Sequence, residues 1–282
     1  MRRRMIQIAD TPFQQKDIGA VGSIESIIID SMRESPYMYS YETTKELLFE
    51  IHLRKNIIMS GKALIQSEPE FEGFDQSAAN PQYWYITEKG GLQLKPNVKA
   101  SEAIRDIFKN GFLYAFECAT AIVIIYYDAV LNTIGEHLFN QFFDNLYLYS
   151  WHADADLGIQ TFETDYFLPG DVVYFNNPDF DPELPWWRGE NTILLEDGSF
   201  LGHGMGIHKA DQIIHLLNEM RKPDSKQSAY LMNIVVRPSF QHLSNLPMLQ
   251  RTYPAYKLQY VIIHHNKCSI SYLQYLHYYF ST

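Results

Sequence analysis

The chain has 282 residues, 46% of them hydrophobic, enough to bury one sizeable core. Its 33 acidic against 23 basic residues give a net charge of -10, a field that repels phosphate backbones and argues against nucleic acid as a ligand. Two cysteines, Cys118 and Cys268, supply no disulfide framework, the start "MRRRMIQIADTPFQQ" lacks the apolar stretch of a secretion signal, and the longest uncharged apolar run, 119–127, is far short of the roughly 20 residues that span a bilayer, so a soluble chain made in the cytosol is expected.

In chain order, "SIESIIIDSMRES" and "TTKELLFEIHLRKNIIMSGKAL" carry helical spacing, the second capped by Thr43 or Thr44. A polar loop, "QSEPEFEGFDQSAANPQ", leads to a hairpin, "YWYITEKGGLQLK", turning at Gly90 and Gly91. "ASEAIRDIFKNG" predicts a short helix opened by Ser101 and stopped at Asn110 and Gly111. The run after Cys118 fits a strand by its β-branched residues and a buried helix by its length and uniform apolarity; a helix is predicted. From Leu146 to Leu201 the pattern changes to short strands ("LYLYSW", "TFETDYFL", "DVVYF", "NTILLE", "SFLGHG"), after which "HKADQIIHLLNEMRK" returns to helix. Helices followed by an antiparallel sheet predict an α+β architecture. Asp224 is the last acidic residue, and the Tyr-rich sequence beyond predicts a boundary near Ser244: a catalytic domain over 1–243 and an appended tail over 244–282, dispensable for catalysis and loosely packed.

Chemistry has few places to sit. Cys118 suits a small buried hydrophobe, but it opens a predicted helix, where free N–H groups and the dipole lower a thiol pKa, and Glu117 beside it is a group that cores avoid. If Asp197-Gly198 form a two-residue hairpin turn, Ile193 pairs with Gly202 and Thr192 with His203, which sets Glu190 and His203 on one sheet face. A helix-borne cysteine followed by a sheet carrying its base suits acyl transfer through a thioester. The spacing of His203 and His208 does not suggest a metal site, and Asp179, Asp181 and Glu183 read as turn formers. Trp151, Trp186 and Trp187 read as packing aromatics or as walls of a narrow passage.

The motifs "KASEAIRDIF", "FLYAFECATAIVIIYY", "NPDFDP", "WRGEN" and "HGMGI", in this order, resemble the spore-coat transglutaminases of spore-forming bacilli, protein-glutamine gamma-glutamyltransferases, over roughly 5–243. The resemblance implies a papain-like, NlpC/P60-related single domain, glutamyl-lysine isopeptide crosslinks between proteins, no calcium or other cofactor, and a place in the spore coat. By motif, Cys118 matches the family nucleophile, Glu190 its acidic partner, Glu117 a second, assisting acidic residue and His203 the active-site histidine. Trp151 and Trp187 match aromatics beside the family's substrate tunnel. The "MRRR" start and the tail after Leu243 depart from the family pattern. Two other readings stand beside this one: a papain-like cysteine peptidase or amidase acting on cell-wall peptides, and a structural coat protein whose Cys118 is inert.

Overall fold

A computed structural model describes residues 6–13, 20–249, 262–265, 267–268 and 270–281. The "MRRR" start and residues 250–261 of the tail lie outside the described residues. Helices α1 (Ile24–Glu34) and α2 (Thr44–Gln66) form where the spacing predicts them, and both begin on hydroxyl caps, Ser23 and Thr43, that accept backbone N–H bonds. Helix α3 (Ala100–Lys109) starts one residue earlier than predicted, because Ser101 points inward and its hydroxyl accepts from the Asn140 amide.

At the centre runs α4 (Cys118–Ile134), with every residue from Cys118 to Leu131 buried. The β-branched run Ile122–Ile125 is helical because an element packed on all sides can be apolar all round, and that burial outweighs the modest propensity cost. Gly135, at φ 83°, ends α4 and starts α5 (Glu136–Phe142). Helix α2 lies along α4, joined by Ser60 donating to Asp128 (2.6 Å) and Asn56 donating to Thr133 (2.8 Å). The fully buried Arg54 of α2 bridges Glu50 and Asp171, each at 2.8 Å, which ties the helical layer to the start of the sheet.

That sheet has six antiparallel strands: β1 (Gln160–Glu163), β2 (Val172–Asn176), β3 (Gly189–Leu194), β4 (Phe200–Gly202), β5 (Gly206–His208) and β6 (Tyr230–Arg237), in the spatial order β5-β4-β3-β2-β6-β1. Alternation along the strands separates two cores. Val172, Ile193, Leu201 and Val236 face α2 and α4, whereas Val173, Leu194, Phe200 and Val235 face α6 (Ala210–Glu219). The mixed α+β class is thus the one expected, with β6 a strand that the sequence reading did not assign. Tyr147–Leu148 joins the 84–94 hairpin in a separate small sheet.

The boundary near Ser244 falls inside α7 (Phe240–Asn245), whose Leu243, with Leu246 just beyond, is fully buried in the main core. Nor are the described residues of 262–281 loosely packed. Ile263, Cys268, Ile270 and Tyr275 are buried, the last on α8 (Tyr272–Phe280), which opens with a Ser271–Gln274 capping box. Aromatic and aliphatic side chains seat this segment on the main core, against the loose packing expected of a stretch without acidic residues.

Candidate active site

Cys118 is the first residue of α4, one residue past a short strand, Ala115–Phe116, and it is wholly buried. Glu117 is the helix cap. One carboxylate oxygen accepts from the Ala119 N–H at 2.7 Å, the other from the Thr120 N–H at 2.7 Å and the Thr120 hydroxyl at 2.8 Å. A carboxylate is retained in an apolar run because it satisfies helix N–H groups that nothing else there would reach. Those two N–H groups are therefore occupied, and Asn191 donates to the sulfur from its backbone N–H and from its side chain, whose Nδ2 lies 3.2 Å from Cys118 Sγ. Asn191 was not singled out from the sequence. It stands two residues before Ile193, on the same α4-facing side of β3.

The β3–β4 hairpin differs from the two-residue turn predicted. Thr192 opposes Gly202, Ile193 opposes Leu201 and Leu194 opposes Phe200, one residue out of the expected register. The loop is 196–198, closed by the Leu195 N–H on the Ser199 carbonyl, with Gly198 at φ 74°. This is the three-residue hairpin with a bulge glycine, and the Asp197 carboxylate accepting from the Ser199 N–H and hydroxyl favours it. The shift lays Glu190 over Gly202, where a Cβ would come within 2.9 Å of Glu190 Oε1. The one-residue shift takes the His203 ring off the Glu190 face, so the expected pairing of the two side chains does not form, and Glu190 meets the His203 backbone N–H instead. The ring Nε2 lies 3.0 Å from the Phe116 carbonyl, between the rings of Phe71 and Phe116.

Burial dominates the electrostatics. It pushes the Cys118 thiol well up, and the charges of Glu190 and then Glu117 push it further, against the Asn191 hydrogen bonds. It likewise raises Glu190, reinforced by Glu117, and raises Glu117 itself despite the capping bonds. His203 is depressed to about 4, chiefly by burial, so it is neutral near pH 7. Glu190 Oε1 has no hydrogen-bond partner among the described residues, an acceptor left open beside a thiol.

The family model for protein-glutamine gamma-glutamyltransferases matches residues 5–247. The chain belongs to that family. A relative of that name from Halalkalibacterium halodurans is 47% identical over 278 residues, covering 99% of this chain and 98% of its own. One from Bacillus subtilis is 46% identical over 210 residues, 74% of this chain and 85% of its own. A solved transglutaminase from Geobacillus stearothermophilus, titled as lacking its C-terminal extension, is 50% identical, covers 74% of this chain and all of its own, and superposes with a TM-score of 0.70.

In this transglutaminase the two predicted aromatics part company. Trp151, 1% exposed, donates from Nε1 to the Ile270 carbonyl at 3.0 Å and so stands at the site. Trp187, in the Pro185–Arg188 turn leading into Glu190, packs against the α6-side core of Val173, Phe175 and Leu217. No group of three or more His, Cys, Asp and Glu is arranged to hold a metal among the described residues, and no helix among them is long and apolar enough to cross a membrane.

Proposed function

We propose that this enzyme joins proteins through glutamyl-lysine isopeptide bonds by way of a thioester on Cys118, within a papain-like, NlpC/P60-related frame, and that it acts in the spore coat. The observation that carries the reading is the grouping at the head of α4: a buried thiol, the Asn191 amide 3.2 Å from its sulfur, and Glu190 with an unpartnered oxygen. Cys118 Sγ attacks a glutamine carboxamide while its proton passes to Glu190. The C–N bond breaks, and ammonia leaves with that proton. A lysine amine then attacks the thioester, forming the amide C–N bond as the C–S bond breaks and returning a proton to the Cys118 and Glu190 pair. Glu117 assists by fixing the start of α4 and by holding negative charge near the incoming lysine ammonium. His203 is a positioning residue on the Phe116 carbonyl, and a neutral ring there leaves the proton to the carboxylate.

Water competes for the thioester, and a dry, aromatic-walled site favours the amine. The substrates are proteins that present glutamine and lysine side chains. The test is incorporation of a fluorescent amine into casein: the wild-type chain labels casein, and Cys118→Ala abolishes it. Shortened casein chains instead of labelled ones would favour a peptidase, and labelling by Cys118→Ala would remove the nucleophile. Spores lacking the enzyme are expected to release coat protein that is otherwise insoluble; unchanged extraction would sink the coat assignment.

A further inference from the structure

The tail reaches the amide that touches the sulfur. The Ile270 carbonyl accepts from Asn191 Nδ2 at 3.0 Å and from Trp151 Nε1 at 3.0 Å, and the same Asn191 amide nitrogen lies 3.2 Å from Cys118 Sγ. Two buried side-chain donors converging on one carbonyl oxygen beside a nucleophile form the arrangement that receives the oxygen of an acyl group under attack. The Ala119 and Thr120 N–H groups at the helix start are spent on Glu117, and here a main-chain carbonyl of the tail fills the Asn191 and Trp151 pair.

We propose that the 262–281 segment is a built-in inhibitor whose Ile270 carbonyl occupies the seat of the glutamine carboxamide, with Asn191 and Trp151 as the oxyanion-binding pair. The inference rests on Cys118 being the nucleophile. The rest of the segment is held as a docked peptide is held. Tyr149 donates to the His265 carbonyl (2.5 Å) and accepts from its N–H (3.0 Å), His265 Nε2 lies 2.9 Å from the Ser150 hydroxyl, and Tyr272 stacks edge-on against Trp151. Ile270 and Cys118 are both wholly buried. The segment carries no acidic residue while the whole chain is acidic, so charge favours its docking. The Geobacillus relative, aligned over its full length without an extension, shows that this fold stands without such a segment.

The experiment keeps the full chain. Gly73 has φ -69°, open to any residue, and a Cβ built there lies 3.2 Å from Cys268 Sγ. A disulfide with an S–S bond of about 2.05 Å sets that distance at about 3 Å, so Gly73→Cys can be locked to Cys268 by diamide and released by dithiothreitol, with closure read from peptide masses. The locked form is expected to lose at least tenfold in both amine incorporation and iodoacetamide labelling of Cys118, with recovery on reduction and no such swing in the wild type treated alike. Conversely, Ile270→Asp with Tyr275→Asp is expected to raise both at least tenfold, and a synthetic 262–281 peptide is expected to lower them again, competing with the glutamine substrate. A locked form as active and as labelled as its reduced form overturns the proposal, whether or not the double variant folds. So does a folded double variant no faster than wild type. If labelling follows the lock while no form incorporates amine, the tail proposal stands and the transglutaminase mechanism falls.

Discussion

Replacing Glu117 by Gln separates a capping role from a proton-transfer role. The wild-type carboxylate accepts three bonds, from the Ala119 N–H and from the Thr120 N–H and hydroxyl, all at 2.7–2.8 Å. Glutamine keeps an oxygen for Thr120 but turns an NH2 group toward the Ala119 N–H. One charge-assisted bond is lost, two become neutral, and a buried donor faces a donor. At about 1.5–3 kcal/mol for a bond to a charged group and about 1 kcal/mol for a neutral one, the loss is roughly 3 kcal/mol. Urea unfolding followed by circular dichroism measures it, beside amine incorporation at 25 °C, where the fold persists. The expected outcome is an unfolding free energy lowered by that amount, read as a lower urea midpoint at unchanged m, and an initial rate reduced less than tenfold. Because the Glu117 charge helps raise the Cys118 thiol, the rising limb of the pH–rate profile is also expected at lower pH. An unchanged midpoint with a hundredfold fall in rate would show that Glu117 moves the proton and that its capping bonds are incidental.

Glu190→Gln is expected to lower amine incorporation on the order of 10²–10⁴-fold with the fold intact, the usual worth of a positioned acid–base group, and a loss below tenfold in steady-state rate would shift the base elsewhere. Gly202→Ala puts a Cβ 2.9 Å from Glu190 Oε1 and displaces that carboxylate without touching Cys118; the expected result is a rate loss above tenfold with normal circular dichroism, and full activity would show that Glu190 has room to spare. His203 and His265 are both depressed to about 4 by burial, so the folded state binds their protons more weakly than the unfolded state does. Their contribution, on the order of 3 kcal/mol each, is present above pH 6.5 and lost as pH falls toward 4. Urea midpoints are expected to drop across that window, and a flat profile from pH 7 to 4 would contradict the burial of both rings.

Much of the site was legible because its chemistry depends on residues that a core otherwise rejects. A carboxylate against an apolar helix raised the right question about Glu117, and uniform apolarity marked α4 as a buried helix despite Ile122–Ile125. What escaped was set by tertiary geometry. The β3–β4 register turned on whether the loop counts two or three residues, which Gly198 and the Asp197–Ser199 bonds decide by margins that composition does not reveal. Asn191 escaped because asparagine in a strand carries no signal until its neighbour across the core is known. The tail was misjudged because its lack of acidic residues and its place beyond the family pattern suggested a loose appendage, whereas Tyr149 and Trp151 supply partners for its backbone and Ser150 one for the His265 ring.

The placement of the two carboxylates follows from one physical conflict. A thioester enzyme needs a thiol that ionises on demand, yet the dry surroundings that protect the thioester from water raise the thiol pKa, and Glu190 and Glu117 raise it further. A histidine in the same setting would be neutral, as His203 is, and would give up its proton too readily to hold it through the attack. A carboxylate is pushed upward by the same burial, which makes Glu190 a stronger base for the Cys118 proton than an exposed carboxylate would be. Dryness thus strengthens the base. It also demands that the site open only when a protein substrate arrives, because a small-molecule-sized gap that admits glutamine and lysine side chains admits water as well. A segment of the chain's own backbone, seated on Asn191 and Trp151 until a substrate displaces it, keeps the sulfur dry in the interval.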